Sequence, residues 1–247
     1  MQLVWIQRGL AAAVLAAGVG FVGSSVAKDP LPEGSGAKQL DADIKYLQTT
    51  LAGKKKNSVS PLKSTAMLIA LNAQNQTDGA DAEKMAGVRD QAVKVATALS
   101  KADADWDTAI KEAAAMGTAK GDAKNALKLQ DLNEFDVHEL MTVFKPRNRG
   151  GRGLEEDVIK YSKSAPDPKV AVEVGNLVAL IGQYTELMPP ADASEANKKK
   201  WIDWSKEMQK VGKEAAEAGL KGDKPTLVKK FMSVDKNCKD CHNVFKN

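Results

Sequence analysis

Both thiols of the chain and one of its two imidazoles lie within five consecutive residues. The segment Cys238-Lys239-Asp240-Cys241-His242 stands near the end of a chain of 247 residues that contains 2 Cys and 2 His. On an α-helix, residues i, i+3 and i+4 share one face, so Cys238, Cys241 and His242 could all contact one ligand. This spacing is the attachment signature of c-type haem, in which the thiols form thioethers and the imidazole binds the iron.

Three other chemistries that use Cys and His fit the segment less well. A thioredoxin-like redox pair stands next to a βαβ unit, and no such unit is visible in the sequence. A structural zinc site needs four ligands, so it would have to recruit His138 and a carboxylate. A plain disulfide would leave His242 unexplained. We therefore predict one covalent haem c with His242 as the proximal iron ligand, and keep a redox-active Cys pair as an alternative.

The first 27 residues have the features of a secretory signal peptide. Arg8 precedes an apolar run from Leu10 to Val22, and Ser25-Val26-Ala27 has the small-x-small form of a cleavage site. The run is shorter than the ~20 residues that cross a bilayer, which favours cleavage after Ala27 over an uncleaved anchor. The mature protein is then expected to be periplasmic or otherwise exported, with no membrane span.

Composition excludes several other classes of protein. The formal net charge is only +4, and the Lys residues are mixed with Asp and Glu, so no nucleic-acid partner is predicted. Two Cys residues cannot build a disulfide-rich fold. Aromatic residues make up 5% of the chain and no long alternating pattern of a strand is present, which favours an all-α protein. The sequence contains no catalytic triad and no phosphate-binding loop, so an enzyme is not predicted.

The mature chain divides into helical segments separated by Gly, Pro and Asp. We predict helices at residues 40–51, 61–76, 82–101, 105–116, 133–144, 153–162, 168–187, 196–218 and 225–245. Asp223 is predicted to cap the last of these helices. Residues 28–37 are predicted as a flexible leader, residues 38–130 as one helical bundle and residues 131–247 as a second bundle.

Two short matches indicate that the second half repeats the first. The segment 68–74 resembles 177–183, and the segment 43–47 resembles 136–140, in the same order along each half. Four amphipathic helices joined by short loops form a four-helix bundle, so we predict tandem four-helix bundles. After the signal peptide the first half contains neither Cys nor His. It is therefore expected to be a degenerate copy without haem.

A family resemblance rests on the end of the chain. It is carried by Trp201 or Trp204 at the start of a helix, Gly222-Asp223 at a turn, and Leu227, Phe231, Val234 and the Cys238–His242 segment on the last helix. In this order and spacing residues 133–247 resemble the cytochrome c prime family, including its Met-ligated low-spin relatives, most specifically over residues 201–247. The resemblance implies that Cys238 and Cys241 hold the haem, that His242 is the proximal ligand and that apolar residues wall the pocket. Phe231, one heptad before Cys238, is the best candidate for that wall, although ordinary bundle core explains it equally well.

The resemblance also raises the question of the sixth iron ligand. In that family the first helix of the bundle covers the distal face of the haem, and it supplies either Met or an apolar residue that leaves the iron five-coordinate. Here residues 135–144 offer Met141 as the first candidate and His138 as the alternative. Core filling is the competing role for Met141, and an exposed helix surface is the competing role for His138. Arg147, Arg149 and Arg152 could pair with haem propionates.

These observations lead to three functional hypotheses. The first is an exported mono-haem cytochrome that carries one electron between redox partner proteins, with Met ligation favouring that role. The second is a five-coordinate haem protein that binds small gases such as nitric oxide or carbon monoxide. The third is a helical interaction protein without haem whose Cys pair is redox-active. A homodimer is compatible with each of them.

Overall fold

The chain is all-helical, as predicted. The computed structural model describes residues 25–54, 58–128 and 137–245, and in these ranges the only β-structure is one isolated bridge between Ser25 and Lys128. The described α-helices are α1 (Gly36–Leu51), α2 (Val59–Gln74), α3 (Ala82–Leu99), α4 (Trp106–Ala115), α5 (Val137–Leu140), α6 (Leu154–Tyr161), α7 (Pro168–Leu187), α8 (Glu195–Lys221) and α9 (Lys224–Phe245). Two 3₁₀ turns, Met141–Phe144 and Arg147–Arg149, follow α5.

The first half forms a ring of four helices. Helix α1 packs against α2, α2 against α3, α3 against α4, and α4 back against α1. The stripe of α1 that faces this core carries Leu40, Leu47 and Leu51, which are fully or almost fully buried. The spacing of these residues is that of one face of a helix, so the amphipathic pattern is sufficient to orient α1 in the ring.

The second half forms a ring as well, but its first member differs from the prediction. Helix α7 packs against α8, α8 against α9, α9 against α6, and α6 against α7. The predicted helix at 133–144 begins outside the described residues. Its described part is one short α-helix and a 3₁₀ turn that pack against α2 of the first half. The helix beside α9 in this ring is therefore α6.

Helices α7 and α8 approach closely because glycines line their contact. A Cβ atom placed on Gly182 would lie 2.7 Å from the backbone nitrogen of Gln209, and one on Gly212 would lie 2.6 Å from that of Ala179. Real Cβ atoms are not found so close to backbone atoms. The absence of a side chain at these two positions thus sets the separation of α7 and α8.

The two halves share one hydrophobic core. Helices α2 and α7 pack against each other, and residues 61–74 and 174–185 are buried throughout. At the ends of these helices Asn75 donates a hydrogen bond of 2.9 Å from Nδ2 to Oε1 of Gln183. Because each of these two helices packs against its own ring and against the other half, it is buried on all sides along this stretch.

The N-terminal described residues lie against both halves. The carbonyl of Ala27 accepts a hydrogen bond of 3.2 Å from Gln183, and the amide of Asp29 donates one of 3.0 Å to Asn75. Asp29 also pairs with Lys213 of α8. The predicted signal peptide falls mostly on residues 1–24, outside the described ranges. None of the helices that the structure describes is long and apolar enough to cross a membrane.

Candidate functional site

The helix that carries the Cys-x-x-Cys-His segment, α9, begins at a tight turn after α8. Gly222 ends α8 in the left-handed conformation, with φ of 67°. The carboxylate of Asp223 then accepts a hydrogen bond of 3.2 Å from the amide of Thr226, which confirms Asp223 as the predicted N-cap. Pro225 fits the first turn, where no intrahelical donor is needed.

Helix α4 of the first half begins with the same cap. There the carboxylate of Asp105 accepts a hydrogen bond of 3.1 Å from the amide of Thr108. Asp105 and Asp223 each stand three residues before a Thr, at the start of the last helix of their ring. Helices α4 and α9 thus occupy equivalent positions and begin in the same way.

One face of α9 fixes its position against α8. Leu227, Phe231 and Val234 are almost completely buried, and Asn237 donates a hydrogen bond of 2.9 Å to the carbonyl of Trp204. At the end of the helix the ring of Phe245 meets Trp204 edge-on, with centroids 6.1 Å apart. These contacts hold α9 antiparallel to α8 along its full length.

The two thiols and the imidazole lie on this helix at i, i+3 and i+4. Cys238 and Cys241 are half-buried and are not joined by a disulfide, whereas His242 is exposed. Cys238 packs against the edge of the hydrophobic core. The three groups therefore project from one side of a continuous helix, between its buried stripe and its solvent face.

Burial keeps both thiols in their neutral form. Loss of solvation, with smaller contributions from Cys241, Asp235 and Glu155, raises the pKa of Cys238 to about 12. Burial alone raises the pKa of Cys241 to about 11. Redox-active dithiols instead have a lowered thiol pKa, often at a helix N-terminus, and these residues lie in the last two turns of α9. The environment of the pair therefore does not favour the redox-active alternative.

The donor set suits a porphyrin better than a bare metal ion. In the described part of the chain, no three His, Cys, Asp or Glu side chains converge in a cluster that would hold a metal ion. A haem brings the equatorial nitrogen ligands of its iron with it and needs an axial ligand from the protein. Two unlinked thiols and an exposed imidazole on one helical face would suit a haem as two points of covalent attachment and one iron ligand.

The segment that carries the candidate sixth ligands is docked on the first half. Glu139 pairs with Lys63 of α2 at 2.6 Å, and its carbonyl accepts a hydrogen bond of 2.7 Å from Ser64. His138 is exposed. Met141 is half-buried and packs against the core from the 3₁₀ turn. Both residues remain predictions as iron ligands.

Helix α6 lies beside the face of α9 that carries the two thiols, and the sequence did not predict this neighbour. It packs against α9, and the charge of Glu155 contributes to the raised pKa of Cys238. The sequence of α6, Leu-Glu-Glu-Asp-Val-Ile-Lys-Tyr, contains no Met and no His. Its amphipathic pattern marks it as a packed helix, but no local signal connects it with α9.

Phe231 has the surroundings of a core residue. It is fully buried, and its ring meets that of Tyr161 from α6 edge-on, with centroids 5.5 Å apart. Burial raises the pKa of Tyr161 as well. Phe231 therefore packs α9 against α6, seven residues before Cys238. Its role in the wall of a haem pocket stays a prediction.

Two of the three arginines considered for propionates have carboxylate partners within the chain. Arg147 pairs with Asp157 at 2.6 Å. Arg152 is buried and pairs with Asp43 of α1 at 2.5 Å. This second pair was not predicted, although its signal is present in the sequence. Asp43 lies between Leu40 and Leu47 on the apolar face of α1, where a carboxylate needs a buried partner.

The chain matches no protein-family model, no curated protein and no solved structure.

Proposed function

We propose that this protein is an exported mono-haem c-type cytochrome that carries one electron between redox partner proteins. The observation that carries the proposal is the placement of two unlinked, half-buried thiols and an exposed imidazole on one face of α9. The raised pKa of both thiols supports it, because neutral buried thiols are poorly suited to disulfide exchange. The resemblance of residues 201–247 to the cytochrome c prime family points the same way.

Cys238 and Cys241 would hold the haem, and His242 would bind its iron from the same side. Each thiol would add across one vinyl group: the S–H bond and the vinyl π bond would break, a C–S bond and a C–H bond would form, and no electron would be gained or lost. The bound haem supplies the reversible one-electron couple of iron. The residues of the chain attach the haem, orient it and limit its contact with water.

The first half would be a copy of the haem bundle that lacks haem. The equivalent caps of α4 and α9 support this duplication, and so do the equivalent positions of α2 and α7 in their rings. The stretch at 120–124, which corresponds to the attachment segment, follows the end of α4 and is not helical. It contains no thiol, so covalent haem belongs to the second half alone.

Expression of the full chain together with a haem-attachment system tests the proposal. We expect haem that stays with the polypeptide on a denaturing gel and one haem per chain in a pyridine haemochrome assay. The Cys238→Ser and Cys241→Ser double variant is the matched control, since it removes every thiol of the chain. A wild-type chain that leaves the attachment system without covalent haem would refute the proposal.

A five-coordinate protein that binds small gases is the second candidate. It is favoured by helix α6, which packs against α9 without offering Met or His. The visible spectrum separates the two candidates. A reduced spectrum that carbon monoxide does not alter indicates a sixth protein ligand and electron transfer. A high-spin spectrum that carbon monoxide shifts indicates an open position. Conversion to high spin in Met141→Ala or in His138→Ala would identify the sixth ligand.

A further inference from the structure

A buried ion pair joins α1 to the loop before α6. Arg152 donates from Nη1 to Oδ1 of Asp43 at 2.5 Å, and the two side chains are 7% and 0% exposed. Gln39 donates to the same oxygen at 3.0 Å. Among the described residues, Oδ2 of Asp43 has no hydrogen-bond partner. Asp43 therefore depends on Arg152 for most of the compensation of its buried charge.

A second ion pair fixes the start of the same segment. Lys63 of α2, whose side chain is 8% exposed, binds Oε2 of Glu139 at 2.6 Å. Ser64 holds the backbone of the same residue. Asp43, Lys63, Glu139 and Arg152 thus form two attachments between the halves, and we name these four residues the inter-half clamp.

The segment between the two attachments is folded on itself and continues into α6. The amide of Arg152 donates a hydrogen bond of 2.9 Å to the carbonyl of Val143, and the amide of Gly153 donates one of 2.8 Å to that of Lys145. Arg147 ties the loop to α6 through Asp157. Displacement of the loop would therefore displace α6, which packs against α9 next to Cys238.

We infer that Asp43 and Lys63 of the first half are positioning residues for the haem site, acting through the inter-half clamp on α6. This inference rests on the proposed function, and it gives the half without haem a role: it holds the helix that borders the attachment face. The effect of these two residues reaches α9 through Arg152, α6 and the contact between Tyr161 and Phe231.

The clamp suits this role because the folded state loses stability when one partner of a buried ion pair is removed. In Asp43→Asn the buried Arg152 would keep the longer ion pair with the half-exposed Glu173, at 3.4 Å. In Lys63→Met, Glu139 would lose its buried cation. The segment can avoid that loss by opening to water, so Asp43→Asn or Lys63→Met should loosen residues 137–161 while the rings elsewhere stay packed.

The test uses the full haem-loaded chain. Hydrogen exchange measured by mass spectrometry should become about tenfold faster in peptides that cover α6 in Asp43→Asn and Lys63→Met, since a weakened clamp lowers the cost of local opening. The reduction potential of the haem should fall in the same variants, because greater contact with water favours the more highly charged oxidised iron. Exchange in α4 should stay unchanged. Lys63→Arg keeps the positive charge, so its exchange rate in α6 and its reduction potential should lie closer to wild type than those of Lys63→Met.

Two controls separate the clamp from general destabilisation. Asp107→Asn breaks the exposed ion pair with Lys54 and should change neither measurement. Leu99→Ala weakens the core of the first half, and it should lower the melting temperature without loosening α6 under native conditions.

Unchanged exchange in α6, or faster exchange with an unchanged reduction potential, would overturn the inference while covalent haem still supports the proposed function. A wild-type chain without covalent haem would overturn both.

Discussion

Tyr161 of α6 lies edge-on against Phe231 of α9, with ring centroids 5.5 Å apart and ring planes at 61°. Phe231 is fully buried, so the contact lies in the core and not on a rim. Edge-to-face pairs of this kind add about 0.5–1.5 kcal/mol to the burial of the two rings. The short helix α6 is thereby fixed to the helix that carries Cys238.

Phe231→Ala should lower the free energy of unfolding by about 3–5 kcal/mol, because it removes a large buried ring and leaves a cavity. Chemical denaturation measures this loss. Met232 is the next residue and is 57% exposed, so Met232→Ala should stay within about 0.5 kcal/mol of wild type. Equal losses in the two variants would contradict the position of α9 in the structure.

Gly182→Ala should destabilise the protein by about 1–3 kcal/mol, because the new methyl group must push α7 away from α8. The better helix propensity of Ala offsets less than 1 kcal/mol of this cost. Gly117 has open space at its Cβ position, so Gly117→Ala should be close to neutral. Thermal melts of the two variants give the comparison, and a neutral Gly182→Ala would show that α7 and α8 are further apart.

Asp105→Ala should lower the melting temperature at neutral pH, and this effect should vanish in acid. Hydrogen bonds from Lys101 and from Thr108 lower the pKa of Asp105 to about 2 from its usual 3.8. A carboxylate with a lowered pKa stabilises the folded state above its unfolded pKa and loses this effect as the pH falls through the folded value. The difference between wild type and variant should therefore shrink between about pH 4 and pH 2.

Asp105→Asn provides the control for that experiment. Asn caps a helix about as well as Asp but does not titrate. Its melting temperature at neutral pH should stay closer to wild type than that of Asp105→Ala. A difference between wild type and Asp105→Ala that persists unchanged at pH 2 would contradict the assignment.

Arg89→Met should loosen the chain that follows α4. The buried guanidinium of Arg89 donates to the carbonyls of Asp122 and Asn125 and to Oε1 of Gln74. The variant removes these hydrogen bonds, which contribute about 0.5–1.5 kcal/mol each, while Oε1 of Gln74 keeps the amide of Leu127 as a donor. Limited proteolysis should cut the region around residues 122–127 faster in Arg89→Met. Lys94→Met, at an exposed position of the same helix, should digest like wild type.

Local patterns were sufficient for much of the fold. Periodic apolar residues predict most helices to within a few residues, and Asp223 is the cap that its position indicates, because caps and amphipathic faces depend on neighbours in sequence. The helix at 133–144 is the main difference. Its described part is a short helix and a 3₁₀ turn, since contacts of Glu139 with α2 outweigh the propensity of a short apolar segment.

The sequence by itself determined the all-α class, the helix that carries Cys238, Cys241 and His242, and their common face, because all three follow from spacing along one helix. Tertiary structure alone decided which helix lies beside that face, how far burial raises the pKa of the two thiols, and that Asp43 pairs with Arg152. These properties depend on residues far apart in the chain, and desolvation and ion pairing act through space and not along the sequence.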